Sequence, residues 1–360
     1  MQDNFDTINF LNKYFGWRNW AVLNYNSVAE NIFLIFYICL KDQLFSWSFV
    51  FDFFVFFLFS MTSTTYGYLI NDLADKDLDA RHGKSNTFAE DSRVKAILVV
   101  SLFFLISVFL GLNFVGNRFF LILWLSWAAV ATSYSVKPIR LKERGAWGLY
   151  PVVVAQRVLP VLIIFSAFGH GNPLDVTLFT AYIFFRGLSS DLNHQIEDYQ
   201  KDRVSGTTTY AVKSGEQRSL DLFRLSLRLE RGLLGLCLLV MYLSLQDMTW
   251  YGFSPMFMLL VAYVFVYGWI EFGKFAKQWD DSQNPFLDGS RNIFQFIHHS
   301  FPSVVLPLVL LFIMVAKYYI FIAILVAFIV YRKLYSLDIW KSSFAVRLVL
   351  SMKDCLKVFN

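Results

Sequence analysis

The sequence predicts an all-α, polytopic membrane protein, and three observations carry that reading. Of the 360 residues 56% are hydrophobic and 19% aromatic, with a mean hydropathy of +0.48, outside the range of ordinary soluble domains. Apolar runs recur along nearly the whole length, and a bilayer core requires roughly 20 apolar residues per spanning helix. Lysines and arginines sort by loop: Lys76, Arg81, Lys84, Arg93 and Lys95 in one, Lys137, Arg140, Lys142 and Arg144 in the next, and Lys201, Arg203 and Lys213 through to Arg231 in a third. The alternate loops contain little beyond Lys41 and Arg118. By the positive-inside rule the three basic loops, and with them the amino terminus, are cytoplasmic.

Taken in order, spans are expected near residues 28–40, 46–70, 94–113, 118–134, 147–168, 174–192, 232–246, 254–271, 301–316 and 318–331. The first is short and carries Glu30 and Asn31, and the last two are divided only by Lys317, so nine or ten spans are defensible. Acidic, basic-flanked helix ends follow both the second and the sixth span, which hints at a duplicated four-helix unit. The expected organisation is a segment over residues 1–27, a transmembrane domain over 28–331 and a tail over 332–360. Both flanks, "NFDTINFLNKYFGWRNW" and "SLDIWKSSFAVRLVLSMKDCLKVF", suit either helices lying on the membrane surface or plain solvated ends. Arg332, Lys333, Lys341 and Arg347 place the tail inside as well, favouring an even number of spans. The opening "MQDNFDTINF" lacks the basic and short apolar regions of a cleaved signal peptide. Cys39, Cys237 and Cys355 show no paired spacing, so neither a disulfide framework nor a zinc site is expected.

The chemistry lies where two spans end in aspartate. After the second comes "NDLADKDLDARHGKSN", residues 71–86. If the helix continues, a step of about 100° per residue sets Asp72 and Asp79 about 20° apart and Asp75 about 60° to one side, with Asn71 at the edge and Asp77 pointing away. Carboxylates so close repel one another unless a cation holds them, and a hard divalent ion such as Mg²⁺ takes oxygen ligands of this kind while leaving room for phosphate. An EF-hand is excluded, because the position that needs Gly is Ala80 and the one that needs Glu is Asn86.

The sixth span ends in "DLNHQIEDYQKDRVSG". Counted from Asp191, Gln195 falls at about 40°, Asp198 at about −20° and Asp202 at about 20°, a single strip of a continuous helix with His194 beside it. Two acidic strips on one side of the membrane can grip a metal-bridged diphosphate, with cations to neutralise the leaving group. Lys84, Arg140, Lys142, Lys201 and Arg203 are near by in sequence. Arg157 and Arg186 fall within spans, where a charge is costly and faces either a cavity or a structural partner.

These residues resemble a known family. "NDLADKDLD" fits the N-D-x-x-D-x-x-x-D signature of the UbiA superfamily of intramembrane prenyltransferases, "YSVKPIRLKERG" is similar to its basic loop, and "EDYQKDRVSGTTTYAVKSG" resembles its second aspartate-rich motif. Order, spacing and preceding spans agree, and the likeness covers roughly residues 46–330. It implies nine helices, with ten allowed by the spans above, around a central cavity capped by cytoplasmic loops. The implied activity is Mg²⁺-dependent transfer of an isoprenyl group from its diphosphate to a small aromatic or lipid acceptor, among membrane lipid and with no part for nucleic acid. Asn71, Asp72, Asp75 and Asp79 would bind one side of the metal site and Asp198 and Asp202 the other, while Arg140 and Lys142 steady the departing diphosphate beside Tyr134. Two positions depart from the pattern: Gln195 stands where the family often has an acid and His194 where it often has a base. A neutral amide is a weaker ligand for a hard cation, and the imidazole could donate to the diphosphate or accept a proton. The same apparatus would serve an isoprenoid cyclase or a polyprenyl-phosphate phosphoribosyltransferase. A cation-coupled transporter is the reading from another class, and the clustering of acids at one membrane face, away from the midplane, opposes it.

Overall fold

The structure, a computed structural model, describes residues 7–18, 20–249, 252–273, 279, 283–287 and 293–336. Among these the regular structure is helical, apart from one isolated parallel bridge between Gly145 and Thr209. Among the described residues five helices are long and apolar enough to cross a membrane by length and composition: Trp47–Arg81, Arg93–Phe114, Ala146–Ala167, Pro255–Phe272 and Ile293–Lys317. Local chemistry sets several starts. The Ser92, Asn117 and Ser254 side chains each accept a hydrogen bond from an amide of the first turn, and Pro255 begins its helix where a missing N–H costs nothing. Leu98, Leu105 and Phe109 stay exposed along their helix, as residues facing lipid would.

The chain divides into two compact units, with the boundaries at 50/51, 186/187 and 225/226 inside helices. The first comprises Met1–Glu30, Phe51–Asn172 and Gly187–Leu225. Its apolar interior is aromatic: Phe56 meets Phe114 edge-on at 5.4 Å between ring centres, and Phe59 lies 5.4 Å from Phe120 and 6.0 Å from Trp124. The described part of the amino-terminal segment is docked here and is not a solvated end. Tyr14 is buried, and the Thr65 hydroxyl donates to the Phe15 carbonyl at 2.7 Å. Lys13 and the Tyr14 hydroxyl both donate to Asp91 at 2.8 Å. Burial alone would raise the Asp91 carboxyl, but hydrogen bonds from Lys13, Lys95 and Tyr14 outweigh it and hold the group at about 2.

The second unit comprises Asn31–Val50, Pro173–Arg186 and Ser226–Asn360. Its buried charges are paired: Lys41 with Asp175 at 2.6 Å, Arg231 with Glu271 at 2.6 Å and His298 with Glu230 at 2.8 Å. The first expected span resolves here into Phe33–Lys41, nine residues buried from Phe33 to Leu40, which is the pattern of a core helix. Most of the expected surface-lying tail, residues 337–360 with Lys341, Arg347 and Cys355, falls outside the described residues.

Candidate active site

The helix Trp47–Arg81 runs unbroken through the first acidic strip. It presents Asn71, Asp75 and Asp79 to a cavity of about 650 Å³ in the first unit, whose lining also includes Lys84, Tyr134, Arg140, Lys142, Asp198 and Asp202. One loop supplies the cations. Arg140 sits in the left-handed region at φ 40°, a conformation costly for a non-glycine residue and typical of functional sites. Its Nη2 donates to Asp75 Oδ1 at 2.9 Å. The Lys142 ammonium donates to the other oxygen of Asp75 and to Asn71 Oδ1 at 3.0 Å, so two oxygens of the first strip hold a cation between them. Burial draws the Lys142 pKa below its ordinary value against the pull of Asp75.

Asp72 is 1% exposed and is absent from the cavity lining. It accepts from the Thr87 hydroxyl at 2.6 Å, the Trp17 indole at 3.1 Å and Arg18 Nη2 at 3.2 Å. Trp17, Arg18 and Trp20 all have positive φ, at 41°, 46° and 66°, and the Trp17 ring stacks on Tyr68 at 4.1 Å. Asn86 donates to Asp79 Oδ2 at 2.8 Å and to the Asp72 carbonyl at 2.7 Å, closing the loop onto the helix end.

The second strip is not continuous. Helix Pro173–Glu197 gives way to Tyr199–Ser205 through a turn at Asp198, although the Asp198 and Asp202 amides still donate four residues back. Gly206 ends the second piece at φ 74°, which glycine adopts without steric cost. Asp198 pairs with Lys201 at 3.0 Å while its side chain remains 55% exposed. Burial and the nearby Asp198 charge raise the Asp202 carboxyl against a hydrogen bond from Thr209. The Gln195 amide oxygen accepts from the Ala211 N–H at 3.2 Å, and Arg203 is exposed. His194 is 70% exposed and 4.0 Å from Glu197. Neither Gln195 nor His194 lines the cavity, nor do Lys201 and Arg203.

The two intraspan arginines have structural partners. Arg157 Nη1 donates to Glu30, and Arg186 Nη1 donates to Asn31 at 2.9 Å in the second unit. Among the described residues no group of three or more His, Cys, Asp and Glu side chains is arranged to hold a metal on its own, and Asp72, Asp75 and Asp198 each have a basic partner. Trp17, Arg18, Asn86 and Thr87 are site neighbours that sequence reasoning did not single out. Trp17 and Arg18 lie 55 and 54 residues from Asp72, and no local pattern encodes such a contact.

The sequence matches the model of the UbiA prenyltransferase family over residues 32–296. It is 27% identical over 180 residues to a lycopene elongase/hydratase of Haloarcula japonica, a match taking in 46% of this chain and 55% of that protein, so the chain spans about half the length of this curated relative. The fold is similar to that of a UbiA homolog from Archaeoglobus fulgidus, with TM-score 0.52 and 16% identity over 82% of this chain and 98% of that one. The structure of a UbiA homolog from the same organism bound to GPP and Mg²⁺ gives TM-score 0.51 and 17% identity over 80% and 99%. At these identities the two structures speak for the fold alone. Because the family match runs over most of its length and through both acidic motifs, the chain belongs to the UbiA prenyltransferase family.

Proposed function

We propose that this integral membrane prenyltransferase transfers an isoprenyl group from an isoprenyl diphosphate to a small aromatic or lipid acceptor, with Mg²⁺ as cofactor. The observation that carries the reading is one cavity lined by Asn71, Asp75 and Asp79, by Asp198 and Asp202, and by the basic pair Arg140 and Lys142. The residues fit a hard divalent ion: all five are oxygen donors, and the Lys142 ammonium is already held by two of the oxygens. Asn71, Asp75, Asp79, Asp198 and Asp202 would hold it. Mg²⁺, when bound, supplies positive charge against the negative charge that develops on the leaving diphosphate.

The chain's own groups do the rest. Arg140 and Lys142 orient the diphosphate and stabilise the electron pair it takes as the bond from oxygen to the allylic carbon breaks. The aromatic side chains of Phe59, Trp124, Trp127 and Tyr134 line the same cavity and suit an allylic carbon with cationic character. The acceptor's nucleophilic atom bonds to that carbon and its proton leaves. Asp72 positions the helix end through its own contacts with Trp17, Arg18 and Thr87. Lys84 lies at the cavity edge, His194, Lys201 and Arg203 lie beyond it, and Gln195 buttresses the loop at Ala211. The reading includes one transmembrane domain over residues 28–331 with nine or ten spans, and basic loops on the cytoplasmic side.

Purified full-length protein incubated with geranyl diphosphate, Mg²⁺ and a panel of phenolic and isoprenoid acceptors, with products read by mass spectrometry, tests the proposal. Metal-dependent consumption of the diphosphate that is abolished by EDTA and by Asp198→Asn is expected. Undiminished turnover in EDTA would overturn the metal assignment, and a cyclised product without acceptor would replace transfer by cyclisation.

A further inference from the structure

Away from the acidic motifs the cavity has a neutral polar wall. The charged residues lining it fall in segments 75–84, 140–143 and 198–202, whereas the rest of the lining offers Asn26, Ser60, Thr64 and Gln156 among apolar groups. Gln156 differs from the others. It is exposed toward this space in the middle of the apolar helix Ala146–Ala167, and its carboxamide has no hydrogen-bond partner among the described residues. Midway along an apolar helix that amide is a polar point offered to whatever occupies the cavity.

The backbone explains how it is presented. Residues Val154–Val158 form a π-helical turn, in which the Leu159 N–H reaches the Val154 carbonyl. Pro160 has no N–H to return to the Gln156 carbonyl, so the regular ladder is interrupted here by the sequence itself. The neighbouring Arg157 pins the turn by its ion pair with Glu30. Gly187 gives Arg157 room: a Cβ there would lie 2.4 Å from the arginine Cγ.

We propose that Gln156 is the acceptor-recognising residue of the cavity and that it selects a neutral molecule carrying a hydroxyl or carbonyl oxygen, excluding carboxylates. This deepens the prenyl-transfer reading and rests on it. The carboxamide can donate to a carbonyl or exchange hydrogen bonds with a hydroxyl. A carboxylate would be buried there facing no cation, because Lys84, Arg140 and Lys142 all sit at the acidic end and Arg157 is held by Glu30. A pure hydrocarbon would leave the amide unsatisfied.

Binding of three probes sharing one chain tests the inference: farnesol, farnesoate and farnesene, titrated into detergent-purified full-length protein and read by tryptophan fluorescence, since Trp124 and Trp127 line the cavity. Farnesol is expected to bind about tenfold more tightly than either other probe, the size of one neutral hydrogen bond. Gln156→Leu, which keeps the volume, should bring farnesol level with farnesene, and Gly187→Ala should weaken the preference by displacing Arg157. Equal binding of farnesol and farnesoate, binding of none of the three, or an unchanged preference in Gln156→Leu would overturn it. Cleavage of geranyl diphosphate by the same wild-type preparation with Mg²⁺ is scored separately. Cleavage without the farnesol preference sinks this inference alone, and the preference without cleavage sinks the donor reading instead.

Discussion

The two acidic helix ends meet the same cavity in opposite states. At the first, Asp72 and Asp75 are 1% and 8% exposed, and their oxygens are taken up by Arg18, Thr87, Arg140 and Lys142. At the second, Asp198 is more than half exposed, the helix pauses beside it, and its one ion pair among the described residues is with Lys201 a turn away. Burial with partners makes the first end a rigid wall whose geometry exists before any ligand arrives. Exposure makes the second end free to adjust at little cost, since a surface ion pair contributes roughly 0–1 kcal/mol. One rigid and one adaptable jaw suit the proposed grip and release of a diphosphate.

The largest expected effects break this comparison by separating activity from stability. Asp75→Asn and Asp198→Asn should both lower diphosphate consumption by at least about a hundredfold, because each removes charge from the same site. Asp75→Asn should also cost about 3 kcal/mol in folding, since it strands buried cations, whereas Asp198→Asn should cost less than about 1 kcal/mol. Matched thermal unfolding of the two variants checks this, and equal losses would remove the distinction between the ends.

A smaller effect sharpens it. Arg18→Ala should destabilise the first end by about 1 kcal/mol, the loss being limited because Arg18 is 42% exposed and Trp17 and Thr87 remain on Asp72. Earlier proteolysis of the amino-terminal segment than of the 193–215 region is the measurement. The same anchor should respond to acid. Asp91 is held at about 2, below an ordinary aspartate, so its stabilisation is fully present above about pH 4 and is lost as pH falls through about 2. Asp91→Asn should flatten that limb of the stability curve between pH 4 and 2, and an unchanged limb would show that Lys13 and Tyr14 do not act through this carboxylate.

The smallest effects belong to the second end. Gln195→Asp should retain metal-dependent turnover, and His194→Ala should lower it only a few-fold and alter its pH profile. An unchanged rate and profile in His194→Ala would confine the second end to its aspartates.

Much of this protein was legible in one dimension. Apolar runs of membrane length, the sorting of Lys and Arg, and acidic residues at helical spacing are local or compositional signals, because a helix closes its own hydrogen bonds and repeats every few residues. They located the long apolar helices, both acidic motifs and the basic loop that meets Asp75, whereas the first expected span is a buried nine-residue helix. Tertiary structure decided what no local rule encodes. It turned Asp72 away from the cavity toward Trp17 and Arg18, more than 50 residues distant, while Asn71, Asp75 and Asp79 line it. It gave Arg157 and Arg186 to Glu30 and Asn31, partners 127 and 155 residues away. It also interrupted the second strip at Asp198 and set Gln156 on a π-turn facing open space. Helical periodicity says which side chains share a face, but which of those faces meets a cation, a cavity or another helix depends on long-range packing.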